Sequence, residues 1–379
     1  MFQRALWLYR EIEWPVGFAA AMIATAFGFL APDVPLILAF APLLISLFCN
    51  DRTDRLALTT GHFCIGIAVA GYGLSNLGYS WLIVIPVGIL IWIGISRLTA
   101  KIGIGAFTVL SAPFVFLPDN LLLVTGSLLP GMGLFGIAIF AIWLLCMDLA
   151  PRKRWRVDMT IGFAGLALLA NSIAFANAGK PLYHNLWAPD ITSVGLKAGA
   201  NGHPSNTTAL LVPTEPGDTV ILGENIFRDK DHAAWDFWCQ QARIKQITIY
   251  AGVSAADGVS EVHKITGTDC GKGPPVYRAV VGIPGITGDW FPNISGAIAG
   301  DEPLARSQWL LCYEAFSLPR WIQLGWDRPN FVFVLANDYW TEPVSVSVAR
   351  EKVVGQFSRL FKVTPKIAES RMTATKISG

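Results

Sequence analysis

Two short apolar runs each end in a residue able to do acyl-transfer chemistry. Trp309-Leu310-Leu311 runs into Cys312, with Glu314 two residues further on, and Val220-Ile221-Leu222-Gly223 runs into Glu224. A thiol has a pKa of about 8.5, so near neutral pH it attacks carbonyl carbons only when a base or cation raises its thiolate fraction. A strand-end glutamate supplies such a base, and the pairing of nucleophile and proton acceptor is the minimum for covalent acyl transfer. Tyr313 carries the next backbone N–H after the thiol, where an oxyanion would develop. Each residue has a plainer reading on its own: cysteine is often an inert packed side chain, and a strand-end glutamate is commonplace.

The elements that must present these groups are legible along the second half of the chain. Asp218 to Leu222 predicts a strand, and Asp231 to Arg243 predicts a helix, on which Trp235 and Trp238 face a sheet rather than a ligand. Lys245 to Ala251, Glu261 to Ile265 and Tyr277 to Ile283 predict further strands. Trp309 to Cys312 and Phe331 to Ala336 are near-continuous apolar runs, the pattern of strands covered on both faces. A helix from Ser345 to Phe361 and a strand from Ile367 to Ala374 follow. Strands alternating with helices predict an α/β domain over 217–379, reached through a linker over 179–216 rich in Pro, Gly and Asn.

The first half has another character. From Trp14 to Ala178 the chain is almost continuously apolar, and about seven membrane spans are expected, near 15–31, 34–49, 56–76, 80–97, 103–118, 121–148 and 158–178, within a polytopic domain over 1–178. Gly126, Pro130, Gly131 and Gly133 break the sixth. Arg4, Arg10, Arg52, Arg55, Arg97, Lys101, Arg152, Lys153, Arg154 and Arg156 fall on alternate connections, so the positive-inside rule puts those connections in the cytoplasm and the α/β domain in the periplasm. The expected setting is therefore a multi-pass protein of the inner membrane, with a lipid bilayer as partner.

Other classes are disfavoured. A net charge of +2 without a basic, aromatic-interleaved stretch argues against nucleic acid. The spans hold almost no ionisable residues of the kind that mark ion pathways. The five histidines are scattered, and Gly271-Lys272-Gly273 is too short to cradle a phosphate, so neither a metal nor a cofactor is expected. Of six cysteines, Cys49, Cys64 and Cys146 lie in or at the ends of apolar runs. In an oxidising compartment Cys239 and Cys270 can pair, leaving Cys312 as the odd thiol.

Cys312-Tyr313-Glu314-Ala315-Phe316, then an apolar strand, then Ala336-Asn337-Asp338-Tyr339-Trp340 resembles the carbon–nitrogen hydrolase (nitrilase) superfamily. It is most similar to the membrane-bound branch of the apolipoprotein N-acyltransferases and to conjugal transfer proteins of the TraB type. The resemblance implies an α-β-β-α nitrilase-like sandwich with a Glu-Lys-Cys triad. Cys312 is then the nucleophile, Glu224 the general base and Glu314 an additional carboxylate that orients the site. The chain departs at the lysine: where the family has Tyr-x-Lys, this sequence has Tyr277-Arg278-Ala279. The candidate cations are Arg278, after a one-residue slip, and Lys272 from the preceding loop. The family carboxylate after the following turn is displaced too, Asp289 being the nearest acid.

Two functions compete on these residues. One is a carbon–nitrogen hydrolase or N-acyltransferase acting through a Cys312 thioester on a lipidic or envelope-bound amide or ester. The other is a catalytically degenerate scaffold of an envelope or conjugation complex, with conjugal transfer proteins as partners.

Overall fold

The computed structural model describes residues 2–49, 51–76, isolated positions between 80 and 103, 120–150, 153–176, 193–194, 215–224, 226–228, 232–255, 259–271, 273–279, 307–337 and 346–370. The chain forms two units. The first comprises Met1–Gly179 and Pro343–Lys362, the second Lys180–Glu342 and Val363–Gly379.

The first unit is helical. Helices α1 (Phe2–Leu30), α2 (Ile37–Ser46) and α3 (Arg52–Asn76) are followed by a 3-10 turn at Leu121–Val124, a single helical turn at Thr125–Leu128, and then α4 (Gly133–Leu149) and α5 (Lys153–Ala176). Glycines allow close backbone approach: a Cβ on Gly28 would stand 2.1 Å from the Ala39 nitrogen, and one on Gly61 would stand 2.5 Å from the Phe18 carbonyl. A polar knot ties the three helices together. His62 Nδ1 donates to the Ala39 carbonyl at 2.9 Å and lies 3.1 Å from the Thr25 hydroxyl.

The expectation of about seven spans is overturned. Among the described residues one helix, Arg154–Ala176, is long and apolar enough to cross a membrane. The reasons lie in the elements themselves. The apolar segment Pro15–Leu30 is 16 residues long, α2 is 10 and α4 is 17, against the roughly 20 that a hydrocarbon core requires. The expected sixth span is cut at Leu129-Pro130-Gly131, with Gly131 at φ +75°. Helix α3 buries Thr59, Thr60 and His62, so its length serves a packed polar face. The expected spans at 80–97 and 103–118 lie almost wholly outside the described residues. The multi-pass inner-membrane localisation that rested on these spans falls with them, and so does the periplasmic orientation. A mostly helical region followed by a mixed α/β region is what remains.

Among the described residues the second unit contains two sheets. In the first, β1 (Ser193–Val194), β2 (Thr219–Leu222) and β4 (Thr248–Ser254) are parallel neighbours, while β5 (Ser260–Ile265) and β6 (Tyr277–Arg278) continue antiparallel. The short β3 (Phe227–Arg228) also pairs with β4. The second sheet is parallel throughout, in the order β7 (Ser307–Leu311), β8 (Phe331–Asn337), β9 (Thr364–Ser370). Helix α6 (His232–Lys245) covers the outer face of the first sheet, burying Ala234, Trp238 and Ala242 against Val220, Leu222, Ile249 and Val253. The inner faces meet through Ile221, Tyr250, Val262 and Tyr277 on one side and Trp309, Leu311, Phe333, Leu335 and Ala368 on the other. The alternation of side chains along each strand produces this two-faced burial.

The expected α-β-β-α layering is also corrected. Helix α7 (Leu318–Asp327) follows β7, but α8 (Val346–Phe361), read from the sequence as the closing helix of the α/β domain, belongs to the helical unit. Its apolar face of Val346, Ala349, Val353, Phe357 and Leu360 is fully buried there. Cys239 and Cys270 are joined in a disulfide, tying α6 to the loop after β5 with Cα atoms 4.9 Å apart.

Candidate functional site

Strand β7 ends at Leu311, and the chain turns at once into a 3-10 segment, Cys312–Phe316. Cys312 makes that turn with φ +47°, in the left-handed region that side chains other than glycine rarely occupy. Holding a non-glycine residue there costs about 1–3 kcal/mol, and such conformations gather at functional sites. Cys312 is 7% exposed and is not disulfide-bonded.

Glu224 comes to the same strand ends from the other sheet. The Gly223 carbonyl and the Ile226 N–H both bond to Gly252 of β4, so Glu224 sits in a bulge between β2 and β3. Bulges re-aim side chains in this way. The Glu224 N–H reaches across to the Ala336 carbonyl of β8 at 3.4 Å. Leu311 is in register with Leu335, and Cys312 follows as the chain leaves the ladder. The two residues thus stand at the same, carboxyl end of β8. The Glu224 carboxylate is buried and accepts a 2.6 Å bond from the Ser260 hydroxyl.

Glu314 lies beneath the turn, with no exposed surface. Its Oε2 accepts the Leu311 N–H at 2.8 Å, and both oxygens face the Tyr277 hydroxyl at 2.9 and 2.8 Å. Burial first, and then the Glu314 charge, hold the Tyr277 phenol well above its usual pKa, so the hydroxyl stays protonated and donates. Arg320 of α7 completes the cluster. Its Nη2 donates to the Tyr277 oxygen at 2.7 Å and to the Trp309 carbonyl at 3.3 Å, and its Nε stands 3.8 Å from Glu314 Oε1.

Arg278 occupies different ground. It pairs with Glu261 across β5 and β6, Nη1 to Oε1 at 2.9 Å, and the second oxygen of Glu261 meets His263 Nε2 at 3.0 Å. Its strand neighbour Tyr277 points between the sheets, so the pleat turns Arg278 to the other face of the sheet. Ala279, where the family lysine was expected, packs against the inter-sheet core. Lys272 and Asp289 lie outside the described residues, as do Asp338, Tyr339 and Trp340. Among the described residues no group of three or more His, Cys, Asp or Glu side chains could hold a metal.

The residues singled out from the sequence were Cys312, Glu224, Glu314 and Arg278; Ser260, bonded to Glu224, and Arg320, bonded to Tyr277, were not among them. A signal for Arg320 existed: Arg320, Trp321 and Leu324 are spaced so that an arginine shares the buried stripe of a short helix. Ser260 carried none, since its role depends on β5 pairing beside the Glu224 bulge.

No known family model matches the chain, and no curated protein matches it.

Proposed function

We propose that the α/β unit performs thiol-dependent acyl transfer, cleaving an amide or ester through a thioester on Cys312. Glu224 accepts the thiol proton as the sulfur attacks the carbonyl carbon. When the C–N or C–O bond breaks, Glu224 returns that proton to the departing amine or alcohol. Water or an amine then attacks the thioester and regenerates the thiol. The Tyr313 N–H is the proposed oxyanion donor. The observation that carries this reading is that a left-handed Cys312, directly after β7, and a bulge-borne Glu224, bonded through its N–H to Ala336, both stand at the carboxyl end of the β7–β8 pair. The likeness of Cys312-Tyr313-Glu314 to the carbon–nitrogen hydrolase motif supports it further.

The test is to incubate the protein with an activated acyl donor and with a thiol-directed probe, then map adducts by peptide mass spectrometry. Label on Cys312, lost in Cys312→Ala and reduced at least tenfold in Glu224→Gln, is the expected result. An unlabelled Cys312 under conditions that label Cys146 would reject the reading.

A lipid bilayer is part of the proposal as a partner. Helix α5 exposes Ile161, Leu168, Leu169, Ile173 and Phe175, and Arg154 and Arg156 stand at one end. Apolar exposure on this scale marks an interaction surface. Flotation with vesicles should be lost when Leu168 and Leu169 are replaced by Glu.

A second reading has its own support. With Ala279 in the lysine position and Arg278 paired to Glu261, the unit would serve as a scaffold in an envelope or conjugation complex. Wild-type transfer of a plasmid by cells carrying only Cys312→Ala would favour it.

A further inference from the structure

We propose that Arg320 is the charge-compensating positioning residue of the Cys312 turn, acting through Tyr277 and Glu314. This rests on the reading of Cys312 as a nucleophile. The wiring is continuous. Arg320 donates to the Tyr277 oxygen, Tyr277 donates to Glu314, and Glu314 accepts the N–H of Leu311, the residue before Cys312. Each of the three side chains is almost wholly buried. The left-handed turn is therefore braced from a helix, a strand of the opposite sheet and its own third position.

Charge gives the arrangement its consequence. Both a thiolate and the oxyanion that follows are negative, and a buried carboxylate two residues away opposes each of them. The guanidinium 3.8 Å from Glu314 brings the cluster to zero net charge, so the carboxylate can brace the turn without repelling the developing charge. Of the other described charged groups on the elements around the turn, Glu224 is hydrogen-bonded to Ser260, Asp327 ends α7, and Lys366 and Glu369 lie on β9. Arg278 and His263 face the opposite side of the first sheet, with Glu261.

The experiment follows alkylation of Cys312 by iodoacetamide in the intact protein across pH, by peptide mass spectrometry, with Cys146 as internal control. It needs no substrate. Arg320→Met is expected to slow alkylation near neutral pH about tenfold and to move the profile to higher pH, and Arg320→Lys to recover most of the loss. Adding Glu314→Gln to Arg320→Met should return the profile towards wild type, because removing the negative charge removes the need for the positive one. A purely structural role predicts no such compensation. Superimposable wild-type and Arg320→Met profiles, or a double variant no better than the single, would overturn the proposal. Should Arg320→Met fail to fold, Tyr277→Phe interrupts the same path with both charges kept. It is then expected to slow alkylation several-fold, and an unchanged rate counts against the inference. If no acyl adduct forms on Cys312 yet its alkylation depends on Arg320, the acyl-transfer reading fails and the charge device stands. If the adduct forms and alkylation ignores Arg320, only the device fails.

Discussion

At the scale of single residues, the turn at Cys312 combines conformational strain with burial, and the two leave different signatures. A left-handed φ favours glycine, so Cys312→Gly should remove strain worth about 1–3 kcal/mol. Set against the loss of a small buried side chain and of chain entropy, the net change in unfolding free energy should stay within about 1 kcal/mol of wild type. An ordinary buried position would lose more, and denaturant titration decides between the two. Tyr277→Phe should behave in the opposite way. It deprives a fully buried carboxylate of a donor, and an unsatisfied buried group costs about 1–3 kcal/mol. Cys312, Glu224 and Glu314 drew attention in the sequence because each stands at or just beyond the end of an apolar run. Arg320 was hidden by long-range geometry: its partners are 43 residues away in Tyr277 and 11 away in Trp309.

Among elements, the strands of the α/β unit were legible because alternation and continuous apolar runs report burial directly. The last strand begins at Thr364, three residues before the expected Ile367, and β7 begins at Ser307. Apolar periodicity cannot report what a helix packs against, and for that reason the first half was misread as membrane spans. His62 makes the packed character of α3 testable. Burial lowers its pKa from 6.5 to about 4, with the Ala39 bond opposing. The unfolded chain binds this proton more readily, so the neutral imidazole contributes stability above pH 6.5 that is lost as pH falls towards 4. The full loss is about 3 kcal/mol at 1.36 kcal/mol per unit. Thermal unfolding followed from pH 7 to pH 4 should show it, and His62→Gln should flatten the profile. The disulfide offers a parallel test in the other unit. It closes a separation of 31 residues, for which chain entropy predicts a stabilisation of about 3–4 kcal/mol. Reduction, or the Cys239→Ala/Cys270→Ala pair, should lower stability by that order with little change in the Cys312 alkylation rate.

For the whole molecule, the decisive fact is that the chain enters the helical unit twice. Composition suggested a clean division near Ala178, yet α8 returns to the first unit from residues Pro343 to Lys362. Its seat is shaped for it. A Cβ on Gly126 would lie 1.8 Å from the Gln356 carbonyl, Ser127 bonds the Gln356 amide oxygen at 2.5 Å, and the Gly131 N–H donates to the Arg359 carbonyl. Lys352 donates to the Gly28 carbonyl at 2.7 Å. Gly126→Ala should therefore cost more than about 3 kcal/mol, since backbone rather than a flexible side chain must yield. Gly165→Ala, which meets nothing within 4 Å, should be neutral or stabilising by up to about 1 kcal/mol through helix propensity. The same geometry predicts that a fragment ending at Gly179 is incomplete. Without α8 it exposes the faces around Gly126 and Gly136, and it should unfold without a cooperative transition and self-associate. Adding a synthetic peptide covering 343–362 should restore amide protection in the Leu121–Leu128 region and a cooperative melt. A fragment that melts as sharply as the full chain, and is indifferent to the peptide, would show that α8 is an accessory to a unit already complete.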